Sequence, residues 1–363
     1  MKFYAALVTL LCISLCLDAF TLSMRNRIAA INTVYLQTQK DQYELAVLWQ
    51  PEFNLDHSFS PDLSMTGQLM GNGAVRQVFQ SGDDYFVRQG KIQRLWLALG
   101  SPQTEARIGL QRMNFGSAQI LRPLQWFDNL DPKDKLELTD GVQAILVRHY
   151  FLNNANLWVW GVRGEEKLRG QLLTLTKDNT PEVGGRVQYP FFSGEIALTA
   201  NHRLETVLQG IDTGSESRIG LDCRQDWLIG LWMELYGSFT QKPAGFGKYQ
   251  APVTLGIDYT FNLGNGVYTL AETQVSYSSD VSWSELHSDM VTAAVSASYP
   301  LGLLDRVIYY GTFTEDGNVS VQSAIWRREY DRLSWDLSLF WDAGKRHYRY
   351  NSRGIKALIS YTF

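Results

Sequence analysis

The chain has 363 residues and a formal net charge of −4, from 33 Lys and Arg against 37 Asp and Glu, which excludes the broad basic surface of a nucleic-acid binder. Aromatic residues make up 13% of it, with 30 Gly and only 10 Pro; disordered chains lack so many aromatics, and helical proteins rarely carry so much Gly, Tyr and Trp. After the first twenty residues no apolar run is long enough for a membrane helix, so composition favours a β-rich protein and excludes a helical transporter.

In chain order the first predicted element is a leader. Lys2 precedes an apolar run from Phe3 to Leu17, broken only by Thr9 and Ser14, and Asp18 ends it. This pattern predicts a secretory signal peptide over residues 1–19, cut after Ala19. A cut after Cys16, or a lipid on Cys16, is the alternative, although lipoproteins favour a smaller residue than Leu15 before the cut. Loss of Cys12 and Cys16 leaves Cys223 as the one mature cysteine. Internal disulfides are then impossible, and stability must come from a hydrogen-bonded sheet.

The remainder reads as strands. Tyr43, Leu45, Val47 and Trp49 alternate with more polar neighbours, as do Val253 to Phe261, Leu333 to Trp341 and Ile355 to Phe363. Period two marks a strand with two unlike faces. The predicted strands are 27–39, 42–57, 62–73, 84–100, 104–114, 140–152, 155–164, 183–191, 193–204, 216–225, 227–240, 251–262, 266–279, 289–299, 304–314, 319–330, 332–342 and 353–363. That makes eighteen, with sixteen as the lower count and Gln171–Thr176 as an extra piece. Gly71-Asn-Gly73 reads as a turn signal.

Three features separate these strands from those of a soluble sandwich. They are about ten residues long, the length a membrane strand needs. Trp49, Tyr259, Phe261, Trp341, Tyr361 and Phe363 end their apolar faces, as in the aromatic girdles of a membrane barrel. Asp258, Glu272, Asp336 and Asp342 lie on the opposite, inward face, which suits a wet lumen and not a filled core. Even-numbered connections are short and odd-numbered ones, such as 74–83, 115–139 and 165–182, are long. About seven residues separate the leader from the first strand, too few for a plug domain.

Phe363, with Tyr361 and Ile359 spaced by two, is similar to the C-terminal signature read by the bacterial barrel-assembly machinery. With the leader and the hairpin rhythm, the mature chain resembles a bacterial outer-membrane porin-type barrel. The resemblance implies an all-β, transmembrane, antiparallel up-and-down β-barrel over residues 20–363, integral to the outer membrane. Implied partners are outer-membrane lipid and lipopolysaccharide, the assembly machinery, small solutes and, as one option, further copies in a homo-oligomer. A second likeness, to the alginate-export-like barrels, rests on Arg107-Ile-Gly-Leu-Gln-Arg112 and on Leu121-Arg-Pro-Leu-Gln-Trp-Phe-Asp128. That group tends to carry Gly-Arg-Gln where this chain has Gly109-Leu-Gln111.

The longest loop, Phe115–Thr139, is too apolar at Pro123, Leu124, Trp126 and Phe127 for free solvation. It is expected to enter the lumen and narrow it with Pro123, Trp126, Phe127 and Asp128; packing over the barrel mouth is the alternative. Between Phe86 and Gln125 six cations and one acid, Glu105, give +5. Strand parity, with Leu95, Leu97 and Leu99 facing lipid, turns Arg88 and Arg94 inward. The same reasoning turns Arg107 inward, and Arg163 if Trp158, Trp160 and Val162 face lipid. Arg148 follows because an arginine facing mid-bilayer lipid costs about 2–4 kcal/mol. With Arg122 from the loop, these residues are the expected anion-attracting lining. The alternative is a network of fixed acids, with Asp128, Glu137, Glu272 or Asp258 beside Arg94 and Arg107.

The expected function is passive diffusion of small hydrophilic, and by charge anionic, solutes. A non-conducting structural or polysaccharide-export-associated barrel is the second reading. His57, His149, His202, His287 and His347 are scattered, with no metal-ligand spacing, nucleophile elbow or P-loop. No enzyme, catalytic residue, metal or cofactor is therefore expected.

Overall fold

A computed structural model describes residues 20–36, 42–80, 84–170, 174–206, 213–241, 247–315, 320–343 and 353–363. The predicted leader lies outside the described residues. Eighteen long strands follow one another: β1 Phe20–Tyr35, β2 Gln42–Ser60, β3 Leu63–Gln80, β4 Tyr85–Gly100, β5 Thr104–Gln111, β6 Val142–Tyr150, β7 Asn156–Arg163, β8 Pro181–Phe191 and β9 Gly194–Thr206. They continue with β10 Thr213–Asp226, β11 Gly230–Thr240, β12 Val253–Phe261, β13 Val267–Ser279, β14 His287–Pro300, β15 Asp305–Thr314, β16 Ser320–Glu329, β17 Leu333–Ala343 and β18 Arg353–Thr362. Each pairs antiparallel with the next, and β18 returns to β1. Leu175–Thr176 adds a two-residue piece against Thr206 and Glu205, inside the stretch expected to hold an extra one.

Closure follows from the solvent. Lipid offers no hydrogen-bond partners, so a spanning sheet must leave no open edge. The seam runs from Arg27 opposite Thr362 to Tyr35 opposite Gly354. Beyond it the Asn26 N–H donates to the Phe363 carbonyl at 2.8 Å, and the Phe363 N–H donates to the Asn26 carbonyl at 2.9 Å. The outward face carries Leu97, Leu99, Val187, Leu255, Ile257, Ile355 and Ile359, all exposed. An apolar belt of this extent is a lipid-facing surface and not a water-facing one.

Two expectations about strand ends change. β1 begins at Phe20, so the seven residues assigned to a lead-in are strand. β3 continues to Gln80 through Gly71-Asn-Gly73 and most of the expected loop 74–83. The glycines sit beside a bulge: Met70 pairs with Arg94, Gly71 with Ile92, and Gln93 is the extra residue. A bulge of this kind keeps the ladder going while shifting its alternation by one. The dipeptide signal therefore marks a strand irregularity and not a turn.

The segment between β5 and β6 has no regular structure and crosses the lumen. Its entry packs Met113, Phe115, Leu124, Trp126 and Phe127 against the inward faces of Val142, Ala144, Leu146, Trp160 and Val162, and against Tyr236 of β11. Phe115 stacks on Trp160 at 5.6 Å between ring centroids, and Trp126 meets Tyr236 edge-on at 5.9 Å. Further along, two wall carboxylates hold the loop backbone. Glu234 of β11 accepts the N–H groups of Ala118 at 2.8 Å and Leu124 at 2.6 Å. Glu272 of β13 accepts those of Gln119, Ile120 and Leu121 at 2.5–2.9 Å, and the Trp232 indole N–H at 3.0 Å. Gly116, at φ +99°, lets the backbone approach Glu234, where a Cβ would strike the carboxylate. The loop then reaches the far wall. Lys135 pairs with Glu329 of β16 at 2.6 Å, and Leu136 packs on Ala29, Ala46, Leu48 and Leu358.

Two outcomes follow. Deleting Phe363 removes both hydrogen bonds to Asn26 and should lower the folded fraction, read as loss of the mobility shift between unheated and boiled samples on a gel; an unchanged shift would contradict this. Replacing Glu234 and Glu272 together by Ala removes the acceptors of five loop N–H groups, of which those of Ala118 and Leu124 are buried and cost about 1–3 kcal/mol each when left unpaired. Trypsin should then cut at Lys133 or Lys135 in a barrel that still shows its heat-dependent shift. Resistance equal to the parent's would show that the apolar packing alone seats the loop.

Candidate functional site

With the loop seated against β6–β13, the lumen beside β1–β5 keeps an open cavity of about 380 Å³. Its wall takes Arg27 from β1, Glu52 from β2, Gln68 and Met70 from β3, Arg94 and Trp96 from β4, and Arg107 from β5. Arg112, at the foot of the loop, and Lys135, Leu136 and Glu137 close the other side. Five cations and two carboxylates line it, and Glu105, Asp128 and Glu329 reach Arg107, Arg112 and Lys135 from just outside the lining. Alternation places these groups. Leu95, Leu97 and Leu99 are exposed to lipid, so Arg94, Trp96 and Ala98 turn inward. Arg107 lies directly opposite Ala98 and shares its face.

The cations are held in different ways. Arg94 is buried and donates to the carbonyls of Gln93 at 2.6 Å and Thr139 at 3.0 Å, tying the wall to the end of the loop. Arg107 lies over the Trp96 ring at 3.9 Å and meets Glu105, two residues back, at 3.1 Å. The Trp96 indole N–H donates to Gln68 at 3.0 Å, and Gln68 donates to Glu52 at 3.0 Å. One wall carboxylate is thus partly satisfied by a neutral chain, while the arginines keep their charge. Arg112 pairs with Glu137 at 3.0 Å and Asp128 at 3.5 Å. Gly109, at φ +122°, permits this close packing, since a Cβ would run into the Leu95 carbonyl.

Other predicted arginines lie elsewhere. Arg148 turns inward beneath the cavity, over Trp158 at 4.1 Å and 3.9 Å from Glu105. Arg122 is buried within the loop, bonded to Asn114 and 3.8 Å from Asp128; it braces the loop and does not line the cavity. Arg88 faces outward. The bulge at Gln93 reverses the alternation, so Arg88 lies opposite exposed Val75 and over the exposed Phe86 ring at 5.0 Å. Arg163 also departs from expectation. Trp160 and Val162 face the loop and not the lipid, so Arg163 shares the outer face with Val159 and bonds Asn179 and Gln143 at the rim. Of the loop residues, Pro123 accepts the Trp126 indole N–H at 3.1 Å, and Trp126, Phe127 and Asp128 are all buried.

The opposite half of the lumen is ion-paired. Arg186 meets Asp222 at 2.5 Å, Arg203 meets Glu216 at 2.7 Å, and Arg218 shares that same glutamate. Arg169 pairs with Glu182 at 2.6 Å, Arg224 with Asp258 at 3.1 Å, and Arg327 with Asp336 at 2.7 Å. Asp258 and Glu272, weighed as acids for Arg94 and Arg107, are therefore engaged elsewhere. Arg27 and Lys135 were missed in the sequence. Arg27 was legible from Ile28, which faces lipid; Lys135 was not, because its place depends on the path of an irregular loop.

His149 contacts Thr104 at 2.9 Å, His202 contacts Ser217 at 2.9 Å, and His287 contacts Asp289 at 3.3 Å. His57 lies between Phe20 and Phe59, and His347 is outside the described residues. Cys223 is half-buried on β10, opposite Met233. Among the described residues no cluster of His, Cys, Asp and Glu could hold a metal.

No family model matches this chain, and no curated protein matches its sequence. Solved structures do match its shape. Pseudomonas aeruginosa OccK7 (OpdD) aligns over 94% of this chain and 99% of its own, with TM-score 0.59 and 12% identity. Pseudomonas aeruginosa OccK2 (OpdF), in complex with glucuronate, aligns over 94% and 98%, with TM-score 0.65 and 9% identity. Salmonella typhi OmpF aligns over 95% and 98%, with TM-score 0.51 and 10% identity. At such identities the likeness is one of fold: this chain is built as a closed antiparallel β-barrel of the porin type.

Proposed function

We propose that this barrel is a passive channel for small hydrophilic solutes, with a preference for anions set by the cavity beside β1–β5. The observation that carries the reading is the unequal division of the lumen. On one side arginines and acids neutralise each other and the loop fills the space. On the other, a cavity stays open whose lining holds five cations, Arg27, Arg94, Arg107, Arg112 and Lys135, beside Glu52 and Glu137; Arg107, Arg112 and Lys135 also meet acids at the cavity's edge, while Arg94 donates to backbone carbonyls. A guanidinium donates two N–H bonds to a carboxylate and, being weakly hydrated, gives up little water when it does so. A passing anion lowers its energy at each such group, and several weak stations in series allow it to leave again. In this reading the loop, with Pro123, Trp126, Phe127 and Asp128 at its core, sets the width by filling the rest of the lumen. The glucuronate held by OccK2 makes sugar acids the first solutes to assay here.

The ion-paired half supports the second reading, a non-conducting structural barrel, because it already closes much of the lumen. Replacing Arg27 and Arg107 by Gln separates the two. A channel should remain intact, with its anion-over-cation permeability ratio lowered several-fold in planar bilayers at 0.1 M salt. The change should be smaller at 1 M, where the screening length falls from about 10 Å to about 3 Å. A parent and a variant that both insert without carrying current, the variant with reduced thermal stability, would favour the structural barrel.

A further inference from the structure

The turn end of the barrel is not uniform. Five successive short turns, from β6–β7 round to β14–β15, carry Leu152, Phe192, Leu228, Leu263 and Leu303 at their tips. Leu152, Leu228 and Leu303 are 92–104% exposed, and Phe192 is 84% exposed. The other three turns carry Pro61-Asp62, Ser101-Pro-Gln103 and Tyr330-Asp-Arg332. A tight hairpin turn in water favours Gly, Asn or Asp, and a lone exposed Leu is ordinary, but a contiguous arc of bare apolar tips is not.

Phe192 adds an independent sign. It sits in the two-residue turn between β8 and β9 with φ +51°. A bulky side chain in the left-handed region is strained, and Gly or Asn would relieve it. This position therefore bears backbone strain and apolar exposure together. The Phe191 ring lies 4.3 Å away and leaves most of Phe192 bare; the exposure is accounted for if the rest of the ring has an apolar surrounding outside the chain.

We propose that this arc is inserted into the turn-side leaflet, its tips at the boundary between acyl chains and headgroups, while the three polar turns stand in water. Two observations select lipid as the occupant. The first is continuity. The lipid-facing row Leu255, Ile257, Tyr259 and Phe261 of β12 runs without a polar break into Leu263, and Val187, Tyr189 and Phe191 of β8 run into Phe192. The second is length. β7 has eight residues, which at about 3.3 Å each and a 40° tilt span about 20 Å, against an apolar band about 25 Å tall. Phe151 and Leu152 of the neighbouring turn, both exposed, extend that apolar depth.

The test places single cysteines at Phe192, Leu228 and Leu303, with Asp62 and Asp331 as comparison sites, in a chain whose native cysteines, Cys223 included, are replaced by Ser. Each is labelled with an environment-sensitive fluorophore, and the barrel is reconstituted into phosphatidylcholine vesicles with or without brominated acyl chains. Only variants that keep the heat-dependent gel shift are scored; any two of the three tips suffice. The tip labels should emit to the blue of those at positions 62 and 331 and should be quenched by brominated lipid, while the comparison labels are quenched by aqueous iodide. Tip labels quenched by iodide as strongly as the comparison labels, and untouched by brominated lipid, would overturn the proposal and point to a protein partner for the arc.

Discussion

The structure depends on one constraint: a sheet that crosses lipid must satisfy every backbone N–H and C=O from within. Closure of β1 on β18 removes both edges, and the rest follows from it. Once the sheet is a cylinder, alternate residues face lipid and lumen, and each face must suit its own solvent. The outward face is apolar over its whole belt. The inward face is charged over much of β8–β12 and β16–β17, where arginines meet carboxylates from the adjacent strand or the next but one. Such pairs contribute little net stability when buried, because desolvation offsets their attraction. Their chief effect is to neutralise that side of the lumen.

The irregular segment between β5 and β6 turns a cylinder into a site. An eighteen-stranded barrel is wide enough to hold water along its axis. The segment fills part of that space with a small apolar core of its own, Phe115 and Trp126 at its centre, and hangs its backbone on Glu234 and Glu272. Carboxylates that each accept several N–H groups are among the strongest neutral-to-charged hydrogen bonds available. The unfilled space is pushed to the β1–β5 side, where Arg94 is held by backbone carbonyls and Arg107, Arg112 and Lys135 each also meet an acid. The selectivity proposed for the channel is thus a consequence of where the loop is anchored, on the opposite wall.

Most strands were legible because period two is a strong local signal. In β12, β17 and β18 each residue reports its own face, and the predicted ends lie within two residues of the observed ones. Errors arose where one face could not be told from the other. Trp158, Trp160 and Val162 look like a lipid face because the loop gives the lumen an apolar partner there; the pattern has the right period and the wrong side. Arg88 was misplaced for a different reason. Gln93 adds one residue to β4, and a one-residue slip moves every later side chain to the other face. Glycines near Gly71 hinted at this irregularity, but they read equally well as a turn. The loop's apolar content was legible, while its anchors were not, because Glu234 and Glu272 lie more than 100 residues away in sequence.

The account claims that a path remains open beside β1–β5 and that its charge is positive. Single-channel recording of the unmodified barrel in planar bilayers, with a KCl gradient across the membrane, tests both parts at once. The account predicts discrete conductance steps and a reversal potential displaced toward that of chloride. A barrel that inserts but carries no current, or one whose reversal potential lies toward that of potassium, would contradict it.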